Sequence, residues 1–293
     1  MSRTWKLSLP CLAHNAPFYE QALEPHFSAL CCFEVIPDSG DWIVEAYSDT
    51  PPDRVAIGLA LELQAASLGD APPAFAIDIL ADTDWVAENQ RDFPPIRIGR
   101  VFIHGSHFTG QPPAAALPLQ IDAATAFGTG DHPTTQGCLL ALQRLARHLQ
   151  PARIFDLGCG TGVLAMAAAR LWPDAKIVAS DIDKESIRVA RINARDNHIP
   201  HLRALVASGC RDNTIVAKAP YSLILANILA NPLREMAGDV CRLLAPGGWF
   251  VASGLLVWQR QSVAMAYRAR GLVLHQTINR KGWATLVFQK AAG

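Results

Sequence analysis

Apolar residues in the first eighty positions fall in short runs that switch between two periods. Trp5-Lys6-Leu7-Ser8-Leu9 alternates at a period of two and predicts a strand, whereas residues 18–30 carry helical spacing. Residues 32–36 and 42–47 read as strands on either side of the turn Pro37-Asp38-Ser39-Gly40. Pro51-Pro52 opens a helix running to Leu68, and residues 75–79 form a fourth strand. The order β-α-β-β-α-β predicts a ferredoxin-like α+β domain. Residues 82–93, ending at Pro94-Pro95, read as a connector, and Pro112-Pro113-Ala114-Ala115-Ala116 as the tail of a linker.

From residue 126 the pattern becomes a regular alternation of strands and helices. A helix is predicted over 133–149, with Pro133 in its first turn and Leu139, Leu142, Leu145, Ala146 and Leu149 on one face. Strand 153–157, helix 163–171, strand 176–180, helix 184–197, strand 202–206, strand 222–225, helix 231–244 and strand 249–253 follow. Residues 271–275 and 283–288 close the series as a hairpin at the sheet edge. This is the pattern of a doubly wound α/β sheet, whose ligands sit at the C-terminal ends of its strands. The expected division is a first domain over 1–105, a linker over 106–125 and a second domain over 126–293.

Composition sharpens that division. Half of the 293 residues are hydrophobic, enough for two cores. No run is long and apolar enough to span a bilayer, and the first residues lack the apolar core of a signal peptide. The seven cysteines have no paired spacing, which suits reduced thiols in a cytoplasmic protein. The net charge of zero conceals a split, because residues 1–105 hold six Lys and Arg against fifteen Asp and Glu. The remainder holds twenty basic residues against eleven acidic ones. An acidic module attracts a basic partner and repels the phosphates of nucleic acid, so no direct nucleic-acid binding is expected.

The chemistry is concentrated in Asp156-Leu157-Gly158-Cys159-Gly160-Thr161-Gly162, between a predicted strand and a predicted helix. Gly158, Gly160 and Gly162 let the chain turn sharply and a ligand approach the backbone. A dinucleotide loop spaces its glycines as G-x-G-x-x-G to cradle a pyrophosphate. Here the spacing is G-x-G-x-G behind an acid, Asp156, which suits a ligand with no phosphate and a cationic end, such as S-adenosylmethionine. The next strand ends in Ser180-Asp181-Ile182-Asp183, where a carboxylate has two oxygens to offer a ribose diol. Asp181 is the candidate for the ribose, with Ile182 beside it, and Asp183 is the candidate helix cap.

Asn227 closes the apolar strand Ser222-Leu223-Ile224-Leu225-Ala226-Asn227 at the ligand edge. There its amide is placed to accept a hydrogen bond from a substrate amine and orient the nitrogen lone pair. Asn231-Pro232-Leu233 imitates the Asn-Pro-Pro-aromatic motif of nucleobase methyltransferases but lacks the second proline and the ring, so Asn231 is read as a helix cap. The run Ala126-Phe127-Gly128-Thr129-Gly130-Asp131-His132-Pro133-Thr134-Thr135 supplies backbone and hydroxyl donors before a helix, with His132 as a candidate general base. No cluster has metal-ligand spacing.

Residues 127–135, Asp156 to Gly162, Asp181-Ile182-Asp183 and Ala226-Asn227-Ile228-Leu229 together resemble the methyltransferase family of ribosomal protein L11, PrmA. The resemblance is firm over 126–293 and weaker upstream. It implies a class I methyltransferase-type doubly wound sheet behind a substrate-recognition domain on a hinge. It further implies S-adenosylmethionine-dependent methylation of lysine and α-amino groups on the ribosomal protein, and the chain itself is expected to be a monomer. By similarity Thr135, Gly158, Asp181 and Asn227 are cofactor-binding positions. Two features depart from the family: Tyr221-Ser222 stands where it has an aromatic residue followed by Asp, and the first 80 residues match poorly.

Overall fold

In a computed structural model of the chain, residues 4–35, 40–80, 94–122 and 130–292 are described. The chain forms two compact units, residues 1–84 and 85–293. The connector predicted over 82–93 and the stretch 126–129 lie outside the described residues.

In the first unit β1 (Thr4–Leu12), α1 (Ala16–Leu23), β2 (Ala29–Glu34), β3 (Asp41–Ser48), α2 (Arg54–Leu68) and β4 (Ala76–Leu80) follow one another in the expected order. The strands lie as β2-β3-β1-β4, each antiparallel to its neighbours, which is the ferredoxin-like arrangement. Alternation along β1 buries Leu7 and Leu9 with Val44, Tyr19, Leu23, Ile57 and Leu61. Asp53 sets the start of α2, its Oδ1 accepting from the backbone N–H groups of Val55 and Ala56. Gly69, at φ +75°, ends it. The helix predicted over 18–30 stops at Leu23, because Pro25 lacks the amide proton an α-helix needs. A short 3-10 turn intervenes and β2 starts at Ala29.

The second unit begins with a small sheet that sequence pattern missed: β5 (Ile96–Ile98), β6 (Val101–His104) and β7 (Leu117–Gln120). Ile98, Val101, Ile103, Leu119 and Ile121 are buried in one core with Leu139, Leu142 and Met166. Residues 96–121 therefore belong with the second unit, earlier in the chain than the expected boundary at 105 and linker over 106–125. Three-residue apolar runs give no readable period, which is why these strands were not foreseen.

The main sheet takes the order β10-β9-β8-β11-β12-β14-β13. Its strands are β8 (Arg153–Leu157), β9 (Lys176–Asp181), β10 (Leu202–Val206), β11 (Tyr221–Asn227), β12 (Leu244–Leu256), β13 (Leu272–Arg280) and β14 (Trp283–Lys290). The first five are parallel, and the closing hairpin β13–β14 runs antiparallel at the edge. Helices α3 (Pro133–Leu145), α4 (Val163–Leu171), α5 (Lys184–Asp196), α6 (Asn213–Val216), α7 (Ala230–Glu235), α8 (Ala237–Leu243) and α9 (Arg260–Arg268) complete it. The helix predicted over 231–244 is two pieces, broken at Met236, whose backbone sits at φ −82°, ψ 2°. Tyr267 Oη donates to the Leu233 carbonyl just before the break. Asn231 lies inside α7 with Leu229 at the cap position, so it is not the expected cap. Strand order reverses between β8 and β11, the switch point where such sheets bind ligands.

Asn197 locks the small sheet to the main one. Its Oδ1 accepts from Gln120 N at 2.8 Å, and its Nδ2 donates to the Gln120 and Asn193 carbonyls at 2.7 and 2.8 Å. Replacing buried Asn197 by Ala strands both Gln120 backbone groups, so Asn197→Ala should cost about 2–4 kcal/mol in a urea unfolding titration. An unchanged midpoint would show that the Asn197 hydrogen bonds do not hold the small sheet in place.

Candidate active site

Asp156, fully buried on β8, accepts at its Oδ2 from Ala165 N (3.0 Å) in the first turn of α4. Its Oδ1 is buried and has no hydrogen-bond partner. Burial, with a smaller contribution from Asp181, pushes its carboxyl up to about 7. The glycine turn above it is tied to the neighbouring strand by three consecutive amides. Gly158 N and Cys159 N both donate to the Ser180 carbonyl, at 2.8 and 2.9 Å, and Gly160 N donates to Asp181 Oδ2 at 2.9 Å. Gly158 is required at its position: its φ is +69°, and a Cβ would stand 2.3 Å from Ile228 Cγ2. Gly162, at φ +81°, occupies the cap position of α4.

Asp181 ends β9, and its other oxygen, Oδ1, accepts from Asp183 N at 3.0 Å. Each carboxylate oxygen retains a lone pair for a second donor. Ile182 beside it is 73% exposed, an apolar side chain left uncovered at the ligand edge. Asp183 caps α5 through the N–H groups of Glu185 and Ser186, as expected.

Asn227 ends β11 and reaches α3, its Nδ2 donating to Thr135 Oγ1 at 3.3 Å. Thr135 is fully buried. Asn227 Oδ1 is buried with no hydrogen-bond partner. Asn227 was nominated by its place at a strand end and Thr135 by resemblance, but only the fold joins them across 92 positions. His132 is the cap of α3: its Nδ1 lies 2.7 Å from Thr134 Oγ1 and accepts weakly from Thr134 N. Its ring meets Trp283 edge-on, with centroids 4.8 Å apart. Trp283 and the Ser180 carbonyl were not foreseen, one standing in a distant hairpin and the other acting through its backbone. Among the described residues no group of three or more His, Cys, Asp and Glu is placed to hold a metal ion, and no helix is long and apolar enough to cross a membrane.

A sheet in this order, with a glycine turn after its first strand and an acid at the end of its second, defines a class I methyltransferase whose methyl donor is S-adenosylmethionine. The sequence model described as "Ribosomal protein L11 methyltransferase (PrmA)" matches residues 31–291, and the chain belongs to that family. A ribosomal protein L11 methyltransferase of Bradyrhizobium diazoefficiens is 42% identical over 265 residues, 90% of this chain and 88% of the relative. One from Brucella suis is 37% identical over 268 residues, 91% of each. The crystal structure of a ribosomal protein L11 methylase from Lactobacillus delbrueckii subsp. bulgaricus aligns with a TM-score of 0.62 at 27% identity, covering 68% of this chain and 100% of that one.

Burial lowers the His132 imidazole from 6.5 to about 4, against a smaller opposing pull from Asp131. A histidine depressed on folding contributes stability that is present above pH 6.5 and lost as the pH falls towards 4. Stability should therefore decline more steeply over that interval in the parent protein than in His132→Asn, which keeps a capping oxygen but does not titrate. Parallel pH profiles in chemical denaturation would show that His132 does not resist protonation.

Proposed function

We propose that this enzyme transfers methyl groups from S-adenosylmethionine to lysine and α-amino groups of ribosomal protein L11. The observation that carries the reading is the unpartnered, buried Oδ1 of Asn227 at the end of β11. An orphaned buried acceptor costs about 1–3 kcal/mol, so its presence at a strand end beside the glycine turn argues for a ligand donor. A neutral amine supplies that donor. With one N–H held by Asn227 Oδ1, the amine lone pair is directed to one side, and orientation is most of what an in-line displacement requires.

The cofactor, when bound, supplies a methyl group on a positively charged sulfur that leaves with its electron pair as a thioether. The residues fit such a molecule along its length. Asp181 offers remaining lone pairs to a ribose diol, and exposed Ile182 offers apolar cover for an adenine face. Asp156 Oδ1 is an unsatisfied acceptor below the glycine turn, suited to the cationic amino-acid end. Gly158, Gly160 and Gly162 contribute backbone. Thr135, whose oxygen takes the Asn227 N–H, keeps its own proton for a carboxylate. His132 is assigned to capping α3, since its Nδ1 faces the helix start and burial lowers its imidazole to about 4.

The acidic first unit supports a basic protein as the partner, by charge attraction, over RNA. A ribosomal protein as substrate supports a cytoplasmic location for the enzyme. Incubation with methyl-labelled S-adenosylmethionine and a ribosomal extract, followed by mass spectrometry, should put label on L11 amines. Asn227→Ala should lower kcat by about tenfold to a hundredfold, with a smaller effect on cofactor affinity. Labelled RNA, an unlabelled protein fraction or full turnover by Asn227→Ala would defeat this reading.

Asp156 gives a second test. Its carboxyl, held up to about 7, is protonated in much of the ligand-free enzyme at neutral pH, and a cationic ligand end favours the carboxylate. Cofactor binding should release a proton and tighten as pH rises through 7, and both effects should vanish in Asp156→Asn. Calorimetry in two buffers of different ionisation enthalpy measures the release. No buffer dependence in the parent protein would remove Asp156 from the site.

A further inference from the structure

The Asn227–Thr135 bond is long, at 3.3 Å, and it depends on how deeply α3 sits against the sheet. Two residues beyond Thr135, α3 carries Gly137. A Cβ there would stand 2.2 Å from Thr285 Oγ1 and 3.2 Å from Thr285 Cβ, so helix and strand approach more closely than any side-chain-bearing residue permits. Thr285, on β14, is buried and cannot simply turn away. Its hydroxyl lies 2.8 Å from Ser253 Oγ, and Ser253 Oγ in turn donates to the Ala284 carbonyl at 3.1 Å. Ser253 has one proton, spent on Ala284, so Thr285 donates to Ser253. Ser253 is the residue paired with Asn227 in the β11–β12 register. The contacts thus close a ring: Asn227 to Thr135, along α3 to Gly137, across to Thr285, to Ser253 and back beside Asn227.

Two further contacts hold the same end of α3 to the hairpin. Trp283 meets the His132 ring, and Arg280 Nη2 donates to Gln136 Oε1 at 2.8 Å. We propose that Gly137 and Thr285 are paired positioning residues for methyl transfer, setting the depth of α3 so that Thr135 holds the Asn227 amide with its oxygen turned to the substrate amine. This rests on the assignment of Asn227 as the amine acceptor. Neither residue touches the reacting atoms. An outward shift of α3 by a few tenths of an ångström lengthens a bond already at its limit and frees the Asn227 amide to rotate.

Helix propensity alone makes Gly137→Ala a favourable change, so a loss of turnover there points to the contact with Thr285. In Gly137→Ala, kcat should fall by about tenfold to a hundredfold, with a smaller loss of cofactor affinity because the Asp181 end of the site stays in place. The side-chain NH2 signals of Asn227, assigned through their disappearance in Asn227→Ala, should move in a 1H–15N spectrum. Adding Thr285→Ala removes the obstructing hydroxyl and should return both kcat and those signals to the values of Thr285→Ala alone. Parent-like kcat in Gly137→Ala, unmoved Asn227 signals, or a double variant that does not recover would overturn the proposal. Should Gly137→Ala alone not fold, the double variant still decides: recovered fold and turnover support the pairing, and a folded double variant with displaced signals refutes it. Asn227→Ala measured alongside separates the two readings. Full turnover in that variant means the role of Asn227 is wrong, whereas a slow Asn227→Ala beside a fast Gly137→Ala removes only the positioning pair.

Discussion

Three consecutive backbone amides, at Gly158, Cys159 and Gly160, hang on the end of the neighbouring strand, two on the Ser180 carbonyl and one on the Asp181 carboxylate. This stitch is the constraint on which the site depends. It forces the chain leaving β8 into a tight turn, and the left-handed φ of +69° at Gly158 follows from it. Asp156 completes the corner from beneath by holding the first turn of α4. Asp181 fixes the loop through Oδ2 and the start of the next turn through Oδ1, and each oxygen retains a lone pair. A loop held in this way is organised before anything binds, so little ordering entropy remains to oppose binding.

Among the described residues three buried side-chain oxygens lack a partner, Ser180 Oγ on β9, Asp156 Oδ1 on β8 and Asn227 Oδ1 on β11, and the last two lie at the C-terminal ends of adjacent strands. Buried polar atoms are normally satisfied. Asp156 Oδ1 and Asn227 Oδ1, at the switch point of one sheet, are the observations that support the proposed reception of a cationic cofactor and an amine there. The remaining elements serve this edge from behind. The closing hairpin grips α3 at His132, Gln136 and Gly137, and α3 presents Thr135 to Asn227. A hairpin at the sheet edge, remote in sequence from the glycine turn, is thereby joined through α3 to the candidate site.

Much of this was legible along the chain. Long regular alternation located β8 to β10 and the helices between them, because elements of five to thirteen residues express their period several times. The first unit was recovered in its order, with an error where Pro25 ends α1 early. Short elements escaped: β5, β6 and β7 carry three or four residues each, and their burial comes from packing on α3 and α4. The glycine turn, Asp181 and Asn227 were visible because backbone turns and strand ends impose residue types locally. His132 was visible both as a candidate base and as a candidate cap, but its ring contact with Trp283 was not.

Read alone, the chain specified the longer elements, the glycine turn behind an acid, the acid ending the second strand, the charge difference between the two parts and, through four motifs, the family. These properties are written in neighbouring residues, and neighbours suffice to specify a turn, a period or a cap. The tertiary structure alone decided which distant groups meet. It joined Asn227 to Thr135, set Gly137 against Thr285, left one oxygen of Asp156 and one of Asn227 without a donor, and drew residues 96–121 into the second unit. Such contacts arise from the close packing of a helix, a strand end and an edge hairpin, and that depth of packing has no period for a sequence to display.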